Sequence, residues 1–394
     1  MQFKEFSQQF EAELRNDIIP FWQTKMTDPA GGFYGRMDGL GRLDTEAERG
    51  AILNARILWT FSAAHRVLGD SSCLDSARHS YEYIRNHFVD KEFGGTFWSL
   101  NADGSPKDTK KQYYAIAFMI YGLSEYFRTC GDSGALDLAI RLYGSIREHS
   151  LDPVCGGYVE AATRHWQPIA DMRLSDKDRN DAKTMNTHLH ILEGYTSLYR
   201  VWKDAALARD LEELIRIFLD RIVQPDGHLG LFFGMDWELH SDVISYGHDI
   251  EASWLLCEAA EVLGKPDLTE EVRTVCRKIA DASMEGYIEN KGMIYEYDPA
   301  TDTKDGDRHW WVQAECVVGC FNQYQLYGEK RYLRAAADVW NFIGTRLLAP
   351  EEWYWSVRAD GSVNTDDDRA GFWKCPYHNS RMCLEIIERI KNII

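Results

Sequence analysis

Six short aromatic and glycine-rich stretches divide this chain at nearly even intervals, and that regularity limits its fold more than any other feature. They begin at Gly31 (GGFYGRMDGLG), Gly94 (GGTFWSLNADG), Gly156 (GGYVEAATRHW), Gly227 (GHLGLFFGMDW), Gly292 (GMIYEYDPATD) and Glu352 (EWYWSVRADG), which sets them 63, 62, 71, 65 and 60 residues apart. Each has the character of a short strand and turn. Two amphipathic helical patterns lie in each interval, such as LDSARHSYEYIRNHFV and, past the next turn, QYYAIAFMIYGLSEYFRTCG, whose last glycine suits a helix C-cap. Helix-pair repeats bury their faces against their neighbours, so the whole array behaves as one unit. An open stack needs polar faces at both ends, yet here the first and last repeats are as aromatic as the middle ones. The expected fold is therefore all-α: an (α/α)6 barrel of six helix-pair repeats, one domain over residues 1–394, with short β-hairpin loops at one end.

Composition narrows the partners. Hydrophobic residues make up 45% of the chain and aromatics 13%, ample for an extensive core. A net charge of −18, from 44 basic and 62 acidic side chains, argues against nucleic acid, anionic membranes and polyphosphate ligands, and favours a small neutral substrate. The opening MQFKEFSQQF lacks the apolar core of a secretory signal, and no apolar run approaches the roughly 20 residues that span a bilayer. Nine cysteines without a C-x-x-C pair suit a reducing compartment, so the expectation is a cytoplasmic monomer.

Residues of catalytic type recur where helices start after the hairpins: Arg56, Tyr114, Asn186 with His190, His248 with Glu251, Trp311 with Glu315, and Trp373 with His378. Six such helix starts can share one pocket. In KTMNTHLHILEGYTSLYR, residues Asn186, His190 and Glu193 follow one helical stripe while His188 points elsewhere, so His188 is expected to tolerate replacement better than His190. Satisfied core polar groups are the bland alternative for this helix. Arg56 lies on an apolar stripe, where its guanidinium must be paired or line a polar cavity. His248 and Glu251 stand at i and i+3, where one can orient the other; Trp310 and Trp311 read either as core or as a sugar platform. Pro376 places His378 at a helix N-terminus, whose positive dipole end keeps the imidazole neutral and basic. H-x-H on a helix splays its two rings by roughly 200°, so no metal site is expected, and no cofactor. Glu251 and Glu315 also fit the carboxylate pair of an (α/α)6 glycoside hydrolase, although that chemistry leaves the histidines unexplained.

The motifs ILNARILW, MNTHLHILEGY, GHDIEASWLL, HWWVQAE and WKCPYHNSRMCLE, with NDIIPFW and GGFYG before them, resemble those of the cellobiose 2-epimerases of the N-acylglucosamine 2-epimerase superfamily over nearly the whole chain. The resemblance implies an (α/α)6 barrel and reversible, metal-free inversion at C2 of the reducing-end glucose of β-1,4-linked disaccharides such as cellobiose and lactose. It also implies roles: His248 and His378 as the acid/base pair; Arg56, Asn186 and His190 as the groups holding O1 and O2 of the opened sugar; Tyr114, Glu251, Trp310, Trp311, Glu315 and Trp373 as orienting and stacking residues. An aldose–ketose isomerase or a monosaccharide 2-epimerase of the same superfamily is the alternative. One departure stands out, Gly194 in EGY, where the family pattern has alanine.

Overall fold

The computed structural model describes residues 3–393. Twelve helices run through them. The odd-numbered ones are α1 (3–26), α3 (71–88), α5 (Ser133–His149), α7 (205–222), α9 (Pro266–Ser283) and α11 (330–347). The even-numbered ones are α2 (Ala51–Leu68), α4 (Tyr113–Cys130), α6 (Met185–Val201), α8 (Tyr246–Leu263), α10 (Trp310–Tyr327) and α12 (Tyr377–Lys391). Each even helix packs on the next, and α12 returns to α2, closing an inner ring. The odd helices surround it, and α1 packs on α12, so the two ends of the chain complete the sixth pair. This is the (α/α)6 barrel that the repeat predicts.

Burial explains which helix goes where. Every residue from Ala51 to Ala64 in α2, from Tyr113 to Tyr126 in α4 and from Trp310 to Gln323 in α10 is buried. A helix without a wet face belongs inside. The outer α7 instead buries one stripe, Leu207, Leu211, Leu214, Ile215 and Phe218, and turns charged residues outward. Tight turns join the members of a pair: Gly69 and Gly131 end α2 and α4 at positive φ (70° and 74°), and Asp70 and Asp132 then cap the outer helices by accepting from Ser72 N and Ala135 N.

The other mouth carries the expected short hairpins and adds pairing between repeats. Local hairpins exist, as at 36–37 with 43–44, but the strand before each inner helix also pairs with the next repeat. The register sets Gly50 opposite Ser99, Gln112 opposite Ala161, Thr184 opposite Phe232, Ser245 opposite Glu296 and His309 opposite Ser356; Met37 opposite Ala370 closes the circle. Buried ion pairs lock several of these junctions. Arg49 meets Asp28, Lys111 reaches Asp90 at 2.9 Å, Lys183 reaches Asp152 at 2.7 Å and Lys374 reaches Glu352 at 3.2 Å. Each cation stands just ahead of an inner helix and so fixes where that helix begins. No helix among the described residues is long and apolar enough to cross a membrane.

Close crossings hold the inner ring together. A Cβ on Gly122, Gly194 or Gly319 would lie 2.6, 2.7 or 2.8 Å from the carbonyl oxygen of Ala55, Ala117 or Ile250 on the preceding inner helix. These are equivalent positions in three repeats, which accounts for Gly194: here α4 and α6 approach too closely for alanine. Gly194→Ala is expected to destabilise the fold by about 1–3 kcal/mol, read from denaturant unfolding. Wild-type stability would show that the two helices separate at no cost.

Candidate active site

Residues two and six of an inner helix are four apart and share a face. Second positions hold Tyr114, Asn186, Trp311 and His378; sixth positions hold Arg56, His190, Glu251 and Glu315; His248 is third in α8 and Trp373 lies just before α12. The ion-paired strands aim all these first turns at the barrel axis. At α12, buried Glu352 accepts from Lys374 and, at 2.7 Å, from Asn379 Nδ2, holding the turn that carries Trp373 and His378.

Arg56 is buried yet touches no carboxylate among the described residues. It donates to Tyr114 Oη at 3.0 Å and to Trp373 O at 3.4 Å, and its guanidinium lies over the rings of Phe118 (4.2 Å) and Tyr377 (4.8 Å). A desolvated cation so placed favours an anion arriving beside it. Asn186, half-buried one turn before His190, keeps its amide oxygen without a protein partner.

Three histidines of the site have defined Nδ1 partners and no hydrogen-bond partner at Nε2 among the described residues. His378 Nδ1 lies 2.7 Å from Glu315 Oε1, His190 Nδ1 lies 2.9 Å from Glu193 Oε2, and His248 Nδ1 lies 2.8 Å from Ser245 Oγ. A carboxylate at Nδ1 makes that nitrogen the N–H and leaves Nε2 as the acceptor. Burial lowers His378 to about 3 despite Glu315, and burial with neighbouring His190 lowers His248 to about 3; burial also holds His190 well below its ordinary value. All three imidazoles are thus disposed to stay neutral; for His378, where the sequence suggests a helix dipole, desolvation is the leading cause.

The expected pairing of His248 with Glu251 does not form. Glu251 Oε1 instead accepts from Arg381 Nη2 at 2.5 Å, and the same nitrogen reaches Glu315 Oε1 at 2.6 Å; Arg381 Nη1 binds Glu193 Oε1, which also accepts from Tyr377 Oη. Arg381 is fully buried, and neither it nor Tyr377 was singled out from the sequence. Burial raises Glu251 and Glu193; Glu315, although buried, is held down by Arg381 and His378. Two further readings meet this guanidinium. Glu251, Glu315 and His378 bring three ligand atoms within 4.8 Å of one another, but Arg381 already occupies the two carboxylates. Nor can Glu251 and Glu315 flank a glycosidic bond when both close on one nitrogen, which removes the hydrolase pairing.

Aromatic walls complete the site. Trp311 contacts both His248 (4.8 Å between ring centroids) and His378 (5.7 Å), and Gly247 is required because its Cβ would strike the Trp311 ring at 2.6 Å. Trp373 is half-buried beside Trp98 and Tyr114, whereas Trp310 is buried against Trp355 (4.5 Å) and sits farther from His378 (6.5 Å). His188 points away from this stripe and is a core residue, so its replacement is expected to act on stability rather than on the site. It is fully buried, with Nδ1 2.6 Å from Thr184 O and Nε2 accepting from Tyr158 N at 2.9 Å, so its loss leaves the buried Tyr158 N–H without a partner.

Comparison with known proteins follows the same lines. The family model described as N-acylglucosamine 2-epimerase (GlcNAc 2-epimerase) matches residues 32–380. The chain belongs to this epimerase family. Among its relatives, a cellobiose 2-epimerase of Bacteroides fragilis is 55% identical over 96% of this chain and 98% of its own, and one of Ruminococcus albus is 41% identical over 96% and 97%. The solved structure of cellobiose 2-epimerase from Bacillus thermoamylovorans superposes with a TM-score of 0.94 at 38% identity, over 98% of this chain and 100% of that one.

The burial shifts give this family member a testable signature. Since desolvation disfavours imidazolium, His248 and His378 are expected to stay neutral as pH falls from 8 to 5, followed by the ring nitrogens in histidine NMR. Protonation midpoints near 6.5, the ordinary histidine value, would show water-filled surroundings instead.

Proposed function

We propose that this chain catalyses reversible epimerisation at C2 of the reducing-end glucose of cellobiose and related β-1,4-linked disaccharides. One observation carries the reading: two imidazoles disposed to stay neutral, His248 and His378, both pack on Trp311, and near His378 lies Arg56, a buried cation that meets no carboxylate among the described residues. The names carried by the 55% and 41% identical relatives support it and select the disaccharide.

The chemistry is a proton relay across a planar intermediate. In the opened sugar the C2 hydrogen is acidified by the C1 carbonyl. One imidazole removes it at Nε2, the C2–H electron pair moves into the C1–C2 bond, and the carbonyl oxygen takes up the negative charge of a cis-enediolate. The other imidazole, which takes up a proton from solvent as negative charge builds on the oxygen, delivers that proton to the opposite face of C2, and the oxygen's electron pair re-forms the C1 carbonyl while the C1–C2 pair forms the new C2–H bond. C2 is inverted, the first imidazolium releases its proton to solvent, and the reverse reaction uses the same pair with roles exchanged. His378 is the better seat for imidazolium because Glu315 stands at its Nδ1, whereas His248 has only the Ser245 hydroxyl. Arg56, His190 and Asn186 hold the enediolate oxygens. Positioned acid–base groups supply about 10²–10⁴-fold and oxyanion donors a comparable factor.

Trp311 and Trp373 offer flat apolar faces to the sugar rings, with Tyr114 held at Arg56 beneath them. A surface carrying −18 in net charge suits an uncharged sugar. Nine cysteines outside any disulfide fit a cytoplasmic enzyme, and a monomer suffices because every residue invoked lies on one chain.

Incubation with cellobiose followed by chromatography is expected to yield glucosyl-mannose, with His378→Asn and His248→Asn each lowering that rate by at least about 10²-fold. Release of free glucose from cellobiose, or fructose formed from mannose faster than cellobiose is epimerised, would contradict the assignment.

A further inference from the structure

Three glutamates from three inner helices meet at Arg381, a fully buried residue on α12. We propose that Arg381 is a positioning residue for the reaction: its single guanidinium holds Glu193 and Glu315, and through them turns the Nε2 atoms of His190 and His378 toward the sugar. This rests on the functional reading above and adds how its imidazoles are aimed.

The linkage can be followed atom by atom. Glu193 divides its oxygens, Oε1 to Arg381 and Tyr377, Oε2 to His190 Nδ1 at 2.9 Å. Glu315 gives Oε1 to both Arg381 Nη2 (2.6 Å) and His378 Nδ1 (2.7 Å), while its Oε2 accepts from Trp254 Nε1 at 3.0 Å. Neither carboxylate can rotate without leaving Arg381. The guanidinium is itself clamped, with Tyr377 and Trp254 rings 4.3 and 4.8 Å from its centre. The charged and titratable groups around it come from every inner helix: Arg56 on α2, Tyr121 on α4, Glu193 and His190 on α6, Glu251 on α8, Glu315 on α10, Tyr377 and His378 on α12. A forked donor is needed because Nη1 serves α6 while Nη2 serves α8 and α10; an ammonium is a point charge and cannot span them.

The test separates charge from fork. Arg381→Lys keeps the charge and is expected to lower kcat about 10²-fold with KM little changed, the cost of misaimed groups rather than lost binding. Arg381→Gln removes the cation, so imidazolium forms more readily and the acid limb of kcat against pH moves to higher pH. A merely structural arginine would lower the melting temperature of both variants and leave the pH limb and the kcat-to-KM split as in wild type, which would overturn the proposal. If neither variant folds, a double-variant cycle decides. Glu193→Gln and Glu315→Gln are tied through one guanidinium, so the loss in the double variant should fall short of the product of the single losses; losses that multiply would refute the linkage. A wild type that fails to epimerise cellobiose overturns the functional reading together with this inference, whereas an active wild type whose Arg381→Lys variant matches it overturns the inference alone.

Discussion

The barrel depends on how Arg381 satisfies Glu193, Glu251 and Glu315 where water does not reach. Burying a charge that finds neither a counter-ion nor hydrogen bonds is prohibitive, and three carboxylates closing on one guanidinium raise one another's affinity for protons. That is the direction found: burial pushes Glu251 and Glu193 up, while Glu315, shared by Arg381 and His378, is held down. Of the three, Glu315 is the one best matched to Arg381, and it is also the one that reaches His378. The negative charge settles on the glutamate that buttresses His378.

The two buried arginines divide the labour by contrast. Arg381 is saturated with carboxylates and fixes geometry. Arg56, wrapped by Phe118, Tyr114 and Tyr377, meets none among the described residues, and in the proposed reaction its charge serves an oxygen that becomes anionic only during turnover. Both arginines are held by helices whose starting points are set by the strand ring and its buried pairs, such as Lys183 with Asp152 ahead of α6. Catalytic precision here comes from many modest constraints at the same mouth, and the rest of each inner helix is committed to close packing.

How much of this the sequence disclosed follows from which signals are local. The barrel was legible because a period near 60 residues survives in the glycine-aromatic stretches, and His190, His248 and His378 were legible because imidazoles are conspicuous in apolar helices. Pairing across repeats was not: strands of two residues carry no periodicity, and the Gly50–Ser99 match joins segments about 50 residues apart. Arg381 was hidden for a different reason. In NSRMCLE it lies four residues before Glu385 and reads as one half of an exposed i,i+4 pair, but Glu385 binds Arg389 and Arg381 faces the axis. Gly194 was visible as a departure without a cause until the Ala117 carbonyl was seen beneath it. The His248–Glu251 pairing failed because a nearer claim on Glu251, from Arg381, comes from a helix 130 residues away in sequence.

A two-base inversion requires the hydrogen at C2 to leave on one histidine and a different hydrogen to arrive from the other. The decisive measurement is turnover of cellobiose in D₂O with the product resolved by NMR. Exchange between imidazole and solvent at the barrel mouth should place deuterium at C2 of the epimerised sugar, and nowhere else on the ring. Epimerised product retaining its original hydrogen at C2 would contradict proton transfer through His248 and His378.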